Sequence, residues 1–348
     1  MKEAQAHELV RRIEARLPDL PITIIEDKNE IPPKFKCQTS LLITAGRGEL
    51  LGRCPGSPGH LCCNYLTIDL YEGCPIGCSY CIMQSYLNFR PQIVNADIDR
   101  ICEGIARVAR LNPHKTIRLG TGETGDSLFF DPLCELSKPL IIFCAQFSNV
   151  FFELKTKTSF VDHLLDLEPK GKAILAFSIN PPSLIKSEEG WAASLDERIN
   201  AARKALQAGY RLAFHFDPII SFPGWEKAYG DVVRMLFEFP EERISWISLG
   251  TIRYPQQLKD KMPPQPYLFA EFVPCRDGKY RYIQSVRVEI YKKMLSFIRL
   301  GLDSPVYLCM ESSSVWKKVF GNLPSKIDKL CAIFNNVCLD KSLQRLES

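Results

Sequence analysis

The chain has 348 residues, 46% of them hydrophobic, and a formal charge of +4 with acids and bases interspersed. That length can bury a large core, in one big domain or one domain with appendages, and so weak a net charge sets up no global field, so any DNA contact must come from a local basic patch. The opening Met1-Lys-Glu-Ala-Gln-Ala-His-Glu8 lacks the apolar stretch of a secretory signal, and no run is apolar enough to span a bilayer, which points to the cytoplasm and to no membrane partner.

Residues 4–17 read as an amphipathic helix, with Leu9, Val10, Ile13 and Leu17 at helical spacing before Pro18. Residues 22–60 are irregular, with Pro, Gly and Cys among short apolar runs. From about residue 65 strand and helix alternate. Tyr65–Leu70 reads as a strand, Asp97–Leu111 as a helix, and Thr116–Leu119, Leu140–Cys144 and Lys172–Ile179 as strands. Asp196–Gly209 is a helix that Gly209 is placed to stop. Arg211–Asp217 is the next strand, Gly230–Phe237 a helix and Ile244–Gly250 the strand after it. The Pro-rich run Met262–Tyr267 marks a boundary, Val286–Leu300 reads as a helix, and the tail 305–348 mixes strand and helix and carries Cys309, Cys331 and Cys338. Repeated β–α units imply an α/β fold with a parallel sheet and right-handed crossovers, here a partial (β/α)6 TIM-like barrel over residues 65–262. A helical and Cys-rich segment (1–64) precedes it and an α+β extension (263–348) follows it. In such barrels chemistry sits at the C-terminal ends of the strands.

Fourteen cysteines exceed what a core needs, and in a reducing compartment they point to metal or radical chemistry. Cys74, Cys78 and Cys81 form a C-x3-C-x2-C loop. Three thiolates can hold three irons of a [4Fe–4S] cubane and leave the fourth open to bind a small molecule. Zinc normally takes four closed ligands, and no second C-x2-C pair answers this one. Three incidental core cysteines are the other alternative. The spacing, with Tyr80 before the last cysteine, resembles the signature of radical S-adenosylmethionine (radical SAM) enzymes.

Other polar residues fall at or just after expected strands. In Gly120-Thr-Gly-Glu123, Gly120 and Gly122 allow close backbone approach and Glu123 suits an ammonium group, or the segment is a plain turn. Lys157 is a strand-end cation suited to a carboxylate, or a surface lysine. Asn180 either bonds a ligand or caps the turn before Pro181. His215 and Asp217 share one face of a strand, as functional groups or as buried hydrogen-bonded partners. Arg253 offers a fork for phosphate or carboxylate, or an internal ion pair. Cys54, Cys62 and Cys63, with Cys309, are either a second metal site or free buried thiols. Lys259, Lys261, Arg276, Lys279, Arg281 and Arg287, interleaved with Tyr280 and Tyr282, are a DNA-facing patch or a solvated hairpin.

Taken together, residues 50–255 resemble the spore photoproduct lyase family of radical SAM enzymes. The resemblance rests on the cysteine loop, Gly120-Thr-Gly-Glu-Thr-Gly-Asp126, Thr156-Lys157 with Val161-Asp-His-Leu-Leu165, and Phe177-Ser-Ile-Asn180. It continues through Leu195–Ala202 to Ala208-Gly-Tyr210, then Pro218-Ile-Ile220 with Gly224-Trp-Glu226. It implies a partial barrel of the radical SAM type and a [4Fe–4S] cluster on Cys74, Cys78 and Cys81. It implies S-adenosylmethionine bound in part through Lys157, and Gly120, Gly122, Glu123, Asn180, His215 and Asp217 are the further candidates for binding it. The activity implied is lyase repair of a thymine photoproduct in DNA by a 5′-deoxyadenosyl radical, fed by a ferredoxin or flavodoxin. Two positions depart from the family. Glu123 stands where its hydrogen-donor cysteine is expected, and Ile82 stands where a second relay tyrosine would follow Tyr80. Cys144 reads either as a substitute donor or as a small core residue. The alternatives are a radical SAM enzyme with a non-DNA substrate and a non-catalytic iron–sulfur module for electron transfer or sensing.

Overall fold

The structure is a computed structural model describing residues 1–5, 7–35, 40–45, 50–57, 59–87 and 91–324; Cys331 and Cys338 lie outside the described residues. Its centre is one curled sheet of eight strands: β1 (Leu51–Arg53), β2 (Leu66–Ile68), β3 (Ile117–Gly120), β4 (Val150–Thr156), β5 (Ala173–Ser178), β6 (Arg211–Ile219), β7 (Ile244–Thr251) and β8 (Val306–Leu308), adjacent in that order. β1 pairs antiparallel with β2, and every later pair is parallel. This is the partial barrel expected of the α/β pattern. All residues of β5 and β7 are buried, because helices cover the outside and the curl encloses the inside.

The helices are set by local chemistry. Asp97 caps Ile98–Leu111, which buries Ile101, Ile105, Val108 and Ala109. Ser194 and Glu197 form a reciprocal capping box at the start of Leu195–Gln207, and Gly209 follows that helix at φ +91°. One expected element is wrong. Leu140–Cys144 belongs to a helix, Ser137–Cys144, and the strand lies further on at β4. A short continuous apolar run fits a buried helix and a buried strand equally, and Pro139 suits a first helical turn.

Period-two alternation and the pairing register give the sheet an inward face. It carries Arg118 and Gly120 on β3, Glu153 and Lys155 on β4, Ser178 on β5, and His215 and Asp217 on β6. Trp246 and Ser248 on β7 and Tyr307 on β8 complete it. This interior is polar. The Arg118 guanidinium lies 3.8 Å from the Trp246 ring centroid and donates to Tyr307 Oη at 3.4 Å, across non-adjacent strands.

The two sheet edges are tied together. Leu61 and His60, between β1 and β2, pair antiparallel with Glu311 and Ser312, just after β8. A three-stranded antiparallel sheet (Arg253–Pro255, Lys279–Tyr282, Phe272–Pro274) follows β7 and is held by stacked Tyr254–Tyr280 and Phe272–Tyr282 pairs. Among the described residues no helix is long and apolar enough to cross a membrane.

Candidate active site

The cysteine loop is pinned from both sides. Gly73 sits at φ +87°, where a Cβ would lie 2.0 Å from Gln92 Oε1, and its N–H donates to Thr124 O at 2.9 Å. On the far side Trp191 N–H donates to Ile76 O at 2.9 Å and Ser79 N–H to Glu188 O at 2.8 Å. Gly190 is required there, since a Cβ would lie 2.2 Å from Ile76 O. Gln84 Nε2 closes the turn onto Cys78 O at 2.7 Å. Cys74, Cys78 and Cys81 are free thiols, Cys78 buried and the others half-buried.

Behind the loop lies a buried carboxylate that sequence reasoning missed. Glu189 accepts hydrogen bonds from Tyr80 Oη, from Asn180 Nδ2 at 2.8 Å and from Arg198, and Lys157 Nζ lies 4.0 Å away. Burial alone would push this carboxyl up, but Lys157, Arg198, Tyr80 and Asn180 outweigh it and hold it at about 2. Tyr229 Oη donates to Asn180 Oδ1 at 3.0 Å, so Asn180 is a link in this network and does not cap the Pro181 turn. Its neighbour Glu188 takes the hydroxyls of Ser79 and of Tyr267, the latter at 2.9 Å. Lys157 thus stands at the loop, its Nζ 5.9 Å from the Tyr80 ring centroid.

The segment after β3 fixes Lys157 from the other side. Asp126 accepts Lys157 N–H at 2.8 Å, Thr156 Oγ1 at 2.8 Å, and the N–H groups of Leu128 and Phe129 at 3.0 Å each. Internal packing explains the two glycines here. At Gly120 a Cβ would meet Tyr65 Oη at 2.1 Å, and at Gly122 it would meet Lys155 Cβ at 2.8 Å. Glu123 is half-buried beside them.

The rest of the barrel mouth is charged. His215 Nε2 donates to Glu153 Oε1 at 2.6 Å, and Arg118 lies 3.5 Å from Glu153 Oε2. Burial holds His215 below its usual value. Burial would raise Glu153, but His215, Arg118 and Lys155 more than offset it and hold the carboxyl at about 2. Asp217 is gripped by Arg253 at 3.2 and 3.3 Å, and Arg253 Nη2 reaches Cys309 Sγ at 3.8 Å. Both inward groups of β6 are therefore partnered within the protein. Lys155 was not anticipated. It is half-buried at the centre of the mouth, and Glu123, Glu153, Asp217 and Cys309 raise its affinity for a proton.

Cys144 ends a helix beside Cys102 in the layer outside the sheet, away from this mouth. Cys54, Cys62 and Cys63 are free thiols, Cys62 shares hydrogen bonds with both of the others, and the charge of Cys63 is felt at Cys309. Among the described residues, however, no three His, Cys, Asp or Glu groups converge on one metal ion. Four of the six residues of the expected basic patch are used internally. Arg281 holds Asp277 at 2.8 and 2.7 Å, Arg287 holds Glu311 at 2.8 Å, Lys279 reaches Ser57 at 3.3 Å, and Lys261 reaches Gln84 O at 3.4 Å.

Comparison with known proteins follows the same lines. Residues 61–257 match the family model described as spore photoproduct lyase. The spore photoproduct lyase of a Geobacillus species is 33% identical over 249 residues, spanning 67% of this chain and 72% of that protein. That of Bacillus subtilis is 34% identical over 173 residues, 49% of each chain. A solved structure of a spore photoproduct lyase double mutant with bound AdoMet and dinucleoside spore photoproduct superposes with a TM-score of 0.76. It covers 88% of this chain and 95% of that one at 24% identity, a likeness that speaks for the fold. The chain therefore belongs to the spore photoproduct lyase family of radical SAM lyases, and its curled sheet is the partial barrel of that class.

Proposed function

We propose that this protein holds a [4Fe–4S] cluster on Cys74, Cys78 and Cys81, cleaves S-adenosylmethionine reductively there, and acts on a thymine photoproduct in DNA. The observation that carries the reading is the three-thiol loop pinned between Thr124 and Glu188, with Lys157 held against it. The donor set fits. In a cubane each thiolate binds its own iron, so the three need not converge on one point, as zinc ligands must. When bound, the cluster and S-adenosylmethionine supply a hydrogen-abstracting radical.

The chain's own residues then have distinct tasks. Lys157 offers a fixed cation to the methionyl carboxylate, and Glu123 offers a carboxylate to its ammonium. Glu189, through Asn180 and Arg198, holds Tyr80 and Lys157 in place. His215 and Asp217, tied to Glu153 and Arg253, shape the mouth as positioning residues. A one-electron donor of the ferredoxin or flavodoxin class feeds the site.

The test is to reconstitute the protein anaerobically with iron and sulfide, then add dithionite, S-adenosylmethionine and dinucleoside spore photoproduct. The expected outcome is 5′-deoxyadenosine together with repaired thymine dinucleoside. Alanine at Cys74, Cys78 or Cys81 is expected to remove the iron and both products. A protein with a full cluster that yields neither product would overturn the reading.

A second reading, a radical enzyme acting on a smaller non-DNA substrate, is favoured by one observation. Lys261, Lys279, Arg281 and Arg287 have internal partners, which leaves Lys259 and Arg276 for a phosphate backbone. 5′-Deoxyadenosine without repair, and binding to duplex DNA that barely responds to salt, would select it.

A further inference from the structure

We infer that Cys309 is the catalytic thiol that returns a hydrogen atom to the substrate radical. The inference rests on the radical reading above and adds to it a residue on the opposite side of the mouth from Glu123. A reaction that removes a hydrogen atom from a substrate and ends on a carbon radical needs a hydrogen-atom source. The Glu123 carboxylate cannot be one, whereas a thiol can, because S–H bonds are weaker than C–H bonds.

Register places Cys309 in the chamber. Ser248 pairs with Tyr307, so Tyr307 and, two residues on, Cys309 take the inward side, and Cys309 N–H donates to Leu249 O at 2.8 Å at the C-terminal end of β7. Its sulfur is half-buried and receives Arg253 Nη2 at 3.8 Å, while Arg253 grips Asp217. Lys155 stands on the inward face of β4, and the charges of Glu123, Asp217 and Cys309 act on its ammonium.

Among the described residues, the buried Tyr65 Oη and Ser248 Oγ have no protein hydrogen-bond partner, so both are free to bond water or a bound molecule. Among the described thiols, Cys144 lies in the helix layer beside Cys102, Cys134 lies against Tyr71, and Cys63 is paired with Cys62.

The step balances. The substrate carbon radical takes the hydrogen atom of the Cys309 S–H bond, leaving a C–H bond and a sulfur-centred radical. One electron from the ferredoxin- or flavodoxin-class donor and one proton from solvent then restore the thiol.

The test runs the reconstituted enzyme in D2O with dithionite, S-adenosylmethionine and dinucleoside spore photoproduct. Thiol hydrogens exchange with solvent, so the wild-type product is expected to carry one solvent deuterium. Cys309→Ala and Cys309→Ser are expected to keep 5′-deoxyadenosine formation and the visible cluster spectrum while repaired product falls about tenfold or more. A readout independent of turnover is iodoacetamide labelling of Cys309, mapped by peptide mass spectrometry, which bound photoproduct is expected to slow. Undiminished, deuterium-bearing product from both Cys309 variants would overturn the assignment. So would loss of the deuterium on Cys144→Ala instead, or labelling of Cys309 that ignores substrate. Absence of 5′-deoxyadenosine from the wild type would fell the radical reading itself, and this inference with it.

Discussion

Replacing Arg198 by methionine is the sharpest test of how the cysteine loop is supported. Arg198 and Glu189 are both fully buried, and the guanidinium also donates to Ser178 O at 2.8 Å and to Ala193 O at 2.9 Å. Arg198→Met keeps the bulk but leaves Glu189 with Lys157 at 4.0 Å as its remaining cation, and strands two carbonyls. Removing one member of a buried pair costs about 3–5 kcal/mol, because the other charge stays desolvated. With an unfolding entropy of about 2 cal/mol/K per residue, a chain of this length loses about 5 °C in Tm. Anaerobic scanning calorimetry on Arg198→Met measures it, with Arg203→Met as the contrast. Arg203 pairs with Glu238 on the exposed surface, a class of pair worth about 0–1 kcal/mol, and its Tm is expected to stay within about 1 °C of wild type. Adding Glu189→Gln to Arg198→Met is expected to recover part of the loss, since a neutral amide can still bond Tyr80 and Asn180. If Arg198→Met melts within about 1 °C of Arg203→Met, the network carries no such energy and the reasoning is refuted.

Further expectations concern the mouth. Gly120→Ala puts a Cβ 2.1 Å from Tyr65 Oη and 2.6 Å from the Glu153 carbonyl, so urea unfolding is expected to lose about 1–3 kcal/mol or more; an unchanged midpoint would contradict it. Glu153 falls from an ordinary 4.5 to about 2 on folding, so its contribution of about 3 kcal/mol is fully present above pH 4.5 and is lost as pH falls through about 2. Glu153→Gln should therefore flatten the acid limb of the stability curve, and an acid limb as steep as wild type would count against it. Lys157→Met is expected to weaken S-adenosylmethionine binding about tenfold or more by equilibrium dialysis with the iron content unchanged. Equal affinity would move the carboxylate contact elsewhere.

Much of this architecture could be read from the chain because the strands that form its middle are apolar runs between turn signals. Ala173–Ser178, Arg211–Ile219 and Ile244–Thr251 lie within a few residues of where the pattern put them. β4 was hidden for a physical reason. Its inward positions carry Glu153 and Lys155, which lower its apparent hydrophobicity, while the apolar run at Leu140–Cys144 belongs to a neighbouring helix. The charge alternation in Phe151-Phe-Glu-Leu-Lys-Thr156 was the available signal. Glu188 and Glu189 gave less warning. An acid pair next to a glycine looks solvated until tertiary contacts bring Tyr80, Arg198 and Lys157 around it. His215, Asp217 and Arg253 were found by position, but their partners were not, because ion pairs between distant strands leave no mark on spacing.

The short ladder joining Leu61 and His60 to Glu311 and Ser312 has a consequence for synthesis. The segment before the cysteine loop must wait for about 250 further residues to leave the ribosome before its partner exists. At a translation rate of about 5–20 residues per second that wait is about 12–50 seconds. Throughout it the seam beside Arg118 and Cys63 stands open and the thiols of the nascent chain face solvent. A ribosome stalled ahead of residue 306 would thus hold a protein with its cysteine loop made and its barrel unclosed.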